Sequence, residues 1–248
     1  MRIIRVKDYN EMSELAANII SSRVILKPDS VLGLATGSTP LGVYKELIRL
    51  NKTTVLSFSK SISFNLDEYY PINKDNVQSY NYYMKDNFFD HIDIKDENIH
   101  IPNGESKDIR SECEDYEEKI NMAKGIDIQL LGIGNNGHIG FNEPGDFFES
   151  RTNHVDLTDE TLKANARFFE DRKIMPTKAI TMGIGTIMKS KQIILLASGE
   201  NKADIIQEMI YGKITPHIPA SILQLHPDVI VIVDETAGSK IRFDDKNA

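Results

Sequence analysis

Apolar residues in this chain gather into short runs, and between the runs they recur every three or four positions. Runs at 3–6, 31–35, 98–101, 126–131, 179–182, 192–197 and 229–233 are too short for a helix to offset its unsatisfied ends, so each predicts a strand. The segment 61–66 alternates and predicts an eighth. Asp8 with Glu11 three residues on forms a capping-box variant, and Met12, Leu15, Ala16, Ile19 and the stem of Arg23 mark the helix it opens. Helical spacing recurs at Leu41, Tyr44, Leu47 and Ile48; at Tyr80, Tyr83, Met84 and Phe88, read as core; and at Ile109, Cys113, Tyr116 and Ile120, with a Glu-rich solvated side. It returns at Leu162, Ala166 and Phe169 after a cap at Thr158, and at Ile205, Ile206 and Met209 before a stop at Gly212.

Strands interleaved with helices, without repeat or linker, predict an α/β fold: one doubly wound, mostly parallel sheet with helices on both faces. A single catalytic domain should span 1–248, and the stretch 145–172, polar and aperiodic at its start, could close over a ligand as a lid. The net charge of −8 and the lack of a Lys/Arg cluster disfavour nucleic acid. Cys113 is the only cysteine, so an intramolecular disulfide and a thiolate metal cage are excluded, and cytoplasm is the expected compartment. No signal-peptide core or membrane-length run is present, and the six histidines show no ligand spacing. Neither a metal nor a cofactor is expected. The expected partner is a small molecule, and the state a monomer or a small homo-oligomer.

The chemistry concentrates at 132–144, Gly-Ile-Gly-Asn-Asn-Gly-His-Ile-Gly-Phe-Asn-Glu-Pro, which follows the strand at 126–131. Its glycines permit a sharp turn close to a ligand, while His138 and Glu143 put a titratable base and a carboxylate at a strand's carboxyl end. Gly132, Gly134 and Gly137 also spell a dinucleotide fingerprint, but that needs a helix opening at the third glycine, and Pro144 and Gly145 break one. Gly37, Ser38 and Thr39 before Pro40 predict an anion-binding turn at a helix start; the plainer reading of Ser38 or Thr39 is a helix cap. No Walker lysine follows. Asp67 and Glu68 end the strand at 61–66, on the same sheet edge as the other two loops; acids there can also simply solvate a loop.

The run at 132–144 resembles the signature of the glucosamine-6-phosphate deaminase family, with Asn136 where that signature usually has Asp. The related 6-phosphogluconolactonases diverge after Gly-His. Asp67-Glu-Tyr matches the family's second motif. The resemblance implies a Rossmann-like fold, shared with sugar-phosphate isomerases and 6-phosphogluconolactonases. It further implies that Asp67 is the base at C2, that His138 opens the ring, and that Glu143 and residue 136 tune it. Gly37, Ser38, Thr39, Arg167 and Lys202 would then hold the substrate phosphate. The implied reaction turns glucosamine 6-phosphate and water into fructose 6-phosphate and ammonia without a cofactor. A lactonase, a sugar-phosphate isomerase and a sugar-phosphate sensor remain as alternatives.

Overall fold

The computed structural model describes residues 1–157 and 175–242; the helix expected after Thr158, Arg167 within it and most of the expected lid lie outside the described residues. Strands β1 (Arg2–Val6), β2 (Val31–Leu34), β3 (Ile62–Asn65), β5 (Ile99–His100), β6 (Ile128–Leu131), β9 (Gln192–Ala197) and β10 (Val229–Asp234) form one sheet, ordered β1-β10-β9-β6-β2-β3-β5. All of its pairings are parallel. Ile193, Leu195, Val231 and Val233 enter one hydrophobic layer, and Ile194, Leu196, Ile230 and Ile232 enter the other. Burial on both faces is why these strands are apolar without alternation.

Helices α1 (Tyr9–Leu26), α2 (Leu41–Thr53) and α3 (Tyr80–Asn87) cover one face through Met12, Ile20, Leu47 and Met84. On the other lie α4 (Ile109–Met122), α5 (Ile184–Met188) and α6 (Ala203–Tyr211), through Tyr116, Ile187 and Ile206. Asp8 caps α1 as expected, its Oδ1 accepting from the N–H groups of Asn10 and Glu11, but the Glu11 carboxylate reaches back one residue further than a capping box, to the N–H of Lys7. Its buried stripe is Met12, Ala16, Ala17, Ile20 and Val24, turned one position from the expected Ile19 and Arg23. The contact with α2 sets this rotation, since a Cβ on Gly42 would stand 2.2 Å from Ser13 Oγ.

A second sheet was not anticipated. β4 (Asp67–Tyr70), β8 (Lys178–Thr181) and β7 (Asn153–Asp156) pair antiparallel in the order β4-β8-β7. The run at 179–182 therefore lies outside the main sheet, and Asp67 opens a strand where a loop was expected. The chain changes sheets at Leu66, whose N–H donates to Leu34 O at 2.9 Å and whose carbonyl accepts from Met182 N at 2.7 Å. The Glu-rich side of α4 also differs from expectation, because Glu117 is buried and accepts from Thr152 N, Thr152 Oγ1 and Thr186 Oγ1. Three donors compensate the carboxylate for its lost water.

Candidate active site

β9, β6, β2 and β3 are neighbours, so the loops after Ala197, Leu131, Leu34 and Asn65 all leave the same edge of the sheet. The strand order turns back between β6 and β2, where open α/β sheets form a crevice at their carboxyl ends. A cleft of about 700 Å³ lies there, and Gly37, Ser38, Thr39, Asp67, Asn136, His138, Glu143 and Lys202 all line it. Of the expected site residues only Arg167, outside the described residues, is not placed.

His138 sits on a tight turn in which Gly134 N donates to His138 O and Gly137 N to Gly134 O. The imidazole packs flat on Gly134, where a Cβ would lie 2.2 Å from its nearest ring atom, so any larger residue would displace the ring. No helix follows Gly137, which removes the dinucleotide reading. Asn136 Nδ2 donates to Glu143 Oε2 at 2.7 Å, which leaves Asn136 Oδ1 to accept from His138 Nδ1 at 2.8 Å. Glu143 Oε1 stands 3.4 Å from the same Nδ1. With Nδ1 carrying the proton toward these acceptors, Nε2 keeps its lone pair. Burial works against the Glu143 charge, but the hydrogen bond and charge of His138 and the Asn136 amide outweigh it and hold that carboxyl below its ordinary range.

Asp67 is 6 % exposed. It pairs in register with Thr181, and Thr181 Oγ1 accepts from Phe141 N at 3.1 Å. Asn142 Nδ2 adds bonds to Ile139 O and Met182 O, so the histidine loop is tied to the end of β8 beside Asp67. Tyr69, Tyr80 and Phe141 pack together with ring centroids 4.8 to 6.2 Å apart, and two of them, Tyr80 and Phe141, also wall the cleft. Loss of water, and secondarily the neighbouring Glu68 charge, push the Asp67 carboxyl up from 3.8 to about 8. Burial raises Glu68 to about 7, partly offset by the N–H groups of Tyr80, Asn81 and Tyr69 that it accepts. Tyr80 thus belongs to the site, a role its helical spacing concealed.

Lys202 Nζ donates to Ile133 O at 2.8 Å and to Asn135 Oδ1 at 2.6 Å, and burial lowers its pKa. Two of three ammonium hydrogens are used, leaving one for a ligand. Its loop is anchored by Asp234 at the end of β10, which accepts from Ser198 Oγ and Gly199 N. Sequence reasoning missed Asp234, which the pattern showed only as the end of an apolar strand. Among the described residues no cluster of three or more potential metal ligands occurs.

Residues 9–231 match the family described as Glucosamine-6-phosphate isomerases/6-phosphogluconolactonase. The chain is 56% identical over 241 residues to a glucosamine-6-phosphate deaminase of Clostridioides difficile, covering 97% of each. It is 58% identical over 243 residues to one of Clostridium botulinum, covering 98% of this chain and 100% of the relative. Among solved structures, a monomeric glucosamine-6-phosphate deaminase superposes with a TM-score of 0.92 at 49% identity, covering 97% of this chain and 100% of the other. A 6-phosphogluconolactonase from Trypanosoma cruzi gives a TM-score of 0.78 over 98% of this chain and 97% of its own at 20% identity, a likeness of fold alone. The fold, the cleft and these similarities place the chain in the family of glucosamine-6-phosphate isomerases and 6-phosphogluconolactonases.

Proposed function

We propose that this protein is a glucosamine-6-phosphate deaminase, converting glucosamine 6-phosphate and water into fructose 6-phosphate and ammonia. The observation that carries the residue assignment is that one cleft is lined by both a dry carboxyl at Asp67 and an imidazole at His138 whose Nε2 is free.

In this reading His138 Nε2 takes the proton from O1 and returns it to O5 as the C1–O5 bond breaks, giving the open-chain aldehyde. Asp67 removes the C2 proton and the electron pair forms a C1–C2 double bond, while the former carbonyl oxygen takes up a proton given up by the C2 ammonium, which leaves an enolamine. Return of the C2 proton from Asp67 to C1 leaves a C2 iminium; water adds to it, a proton passes from that oxygen to the nitrogen, and the C2–N bond breaks to give the ketone and ammonia. No electrons are exchanged with a cofactor. A carboxyl titrating near 8 is only about one-tenth ionised at pH 7, but a C2 ammonium entering beside it favours the carboxylate. Once ionised it is a stronger base than an ordinary aspartate, which suits abstraction from carbon.

The phosphate would be held by the N–H groups of the 37–39 turn and by Lys202, with Arg167 added on the resemblance. Such remote binding fixes C2 over Asp67 and is recovered as rate. Incubation with glucosamine 6-phosphate should release ammonia and fructose 6-phosphate in equal amounts. Hydrolysis of 6-phosphogluconolactone without ammonia release from the amino sugar would overturn the reading. The solved relative is described as monomeric, and sedimentation would test the same state here.

A further inference from the structure

The turn that faces the phosphate end of the cleft is fastened from behind by three tyrosine hydroxyls, one from each of three helices. Tyr44 of α2 donates to Ala35 O, Tyr83 of α3 to Gly37 O at 2.6 Å, and Tyr9 of α1 to Ser38 O at 3.0 Å. The Tyr9 hydroxyl also accepts from Gly42 N at 2.8 Å, so its own hydrogen is left to point at Ser38 O.

A trans peptide is planar, with its N–H directed opposite to the preceding carbonyl. Holding the carbonyls of residues 35, 37 and 38 toward the helices therefore turns the N–H groups of Thr36, Ser38 and Thr39 the other way. Among the described residues nothing accepts from the N–H groups of Gly37, Ser38 or Thr39. The turn is also a thin wall, since Ser38 and Thr39 line the cleft on one side and on the other a cavity of about 750 Å³ that Tyr9 helps to line. Gly37 has φ of +99° and open space where a Cβ would stand, so rotation of the 37–38 peptide meets little resistance from side-chain sterics. A rotated peptide would present a carbonyl oxygen to an anion.

We propose that Tyr9, Tyr44 and Tyr83 are positioning residues that lock these peptides in the anion-accepting orientation and so set affinity for the phosphate end of the substrate. This rests on the reading of the cleft as a sugar-phosphate site. The tyrosines touch no substrate; they act through the turn. Tyr44 is fully buried and stacked on Phe88, so its hydroxyl is the least suitable to remove cleanly. Tyr9 and Tyr83 are half-buried.

The test uses Tyr83→Phe, Tyr9→Phe and the double variant, with Tyr70→Phe as control, because Tyr70 donates to Ser106 O away from the turn. Steady-state rates with glucosamine 6-phosphate would be combined with the dissociation constant of inorganic phosphate from calorimetry, and thermal melts would confirm folding. Each single variant should raise KM and the phosphate constant about three- to tenfold, leave kcat within about twofold, and the double should raise both further. The control should change neither. Folded variants with unchanged KM and phosphate constant would overturn the proposal. A wild type that binds phosphate but does not turn over the amino sugar would sink the functional reading alone, provided phosphate affinity still falls in the variants. A wild type that does neither would sink both. Should Tyr83→Phe fail to fold, Tyr9→Phe alone decides.

Discussion

Glu68→Gln isolates the electrostatic part of what makes Asp67 basic. Burial is the larger cause of the rise of Asp67 to about 8, and the Glu68 charge is the second. The two carboxyls leave opposite faces of one strand, on the order of 8 Å apart. At an effective dielectric of about 20 their repulsion is ~2 kcal/mol, or ~1.5 pH units if Glu68 were fully ionised. Glu68 itself titrates near 7, inside the range of interest, so only part of that charge is present and the expected displacement is about 0.5 to 1 unit. The direction is fixed: removing a like charge lowers the Asp67 pKa, and the base works only when ionised. The acidic limb of kcat/KM should therefore move to lower pH, with severalfold more activity near pH 6.5.

Glutamine keeps one oxygen for the N–H groups of Tyr69 and Tyr80 and gives up the acceptor for Asn81, at a cost of about 1 to 2 kcal/mol that a denaturant titration would record. The assay is continuous ammonia release from pH 5.5 to 9.5 at constant ionic strength. A limb that stays in place, or moves to higher pH in a folded variant, would show that Asp67 does not control the profile or that Glu68 does not reach it.

Asp67→Asn should abolish turnover yet stabilise the protein. A carboxyl raised from 3.8 to about 8 on folding binds more protons in the folded than in the unfolded state between those values, so its stability contribution is lost as pH rises through 8; the variant's advantage should grow over that window to ~1–5 kcal/mol, measured by urea unfolding at pH 5 and 9. Asn136→Asp would set a second carboxylate against Glu143 Oε2, 2.7 Å from the present amide nitrogen, and beside His138 Nδ1, favouring the imidazolium. With neutral His138 as the ring-opening base, its imidazole, followed by NMR separately from the Asp67-controlled limb, should hold its proton to higher pH by about one unit after allowing for solvent; an unchanged imidazole titration would mean that residue 136 does not couple to the base. Asp127→Asn should cost ~1–3 kcal/mol at neutral pH, since Asp127 is 2 % exposed and binds Lys191, Lys27 and Val31 N, although both lysines can turn to water. Those bonds outweigh burial and hold its pKa low, so the contribution is present at neutral pH and is lost as pH falls below about 4; wild type and variant should therefore converge in acid.

The main sheet was legible because a strand covered on both faces must be largely apolar; six of the seven apolar runs fall in it, and its remaining strand, β3, showed as the alternating segment. The second sheet was not, since β7 is Asn-His-Val-Asp and β4 Asp-Glu-Tyr-Tyr. Each is short and polar, and is a strand only because β8 lies between them, a pairing between distant segments that leaves no local period. In the site, glycines and the titratable residues beside them announced the loops, so Asp67, His138, Glu143 and the 37–39 turn could be named. What could not be read were groups acting from behind. Tyr80 and Tyr83 kept the spacing of a core stripe, and Glu117 that of a solvated one. Their roles depend on which carbonyl or hydroxyl the fold sets opposite them.

In the proposed mechanism, the second sheet is what makes an acid–base site of a general α/β crevice. A carboxylate on a loop after β3 would stay hydrated, with an ordinary pKa and little strength toward carbon. The change of sheet at Leu66 instead puts Asp67 in a strand, opposite Thr181 and beside a wall of Tyr80 and Phe141. Thr181 at the same time receives Phe141 N from the histidine loop, so one residue ties the strand of Asp67 to the loop that carries His138, the two bases of the proposed mechanism. Dryness and spacing thus have a common origin. The Glu68 and Asn136 variants then probe the two proposed bases separately, because one should lower the pH at which Asp67 ionises and the other raise the pH at which the His138 imidazole loses its proton. A common cause such as loosening of the cleft would not move the two in opposite directions.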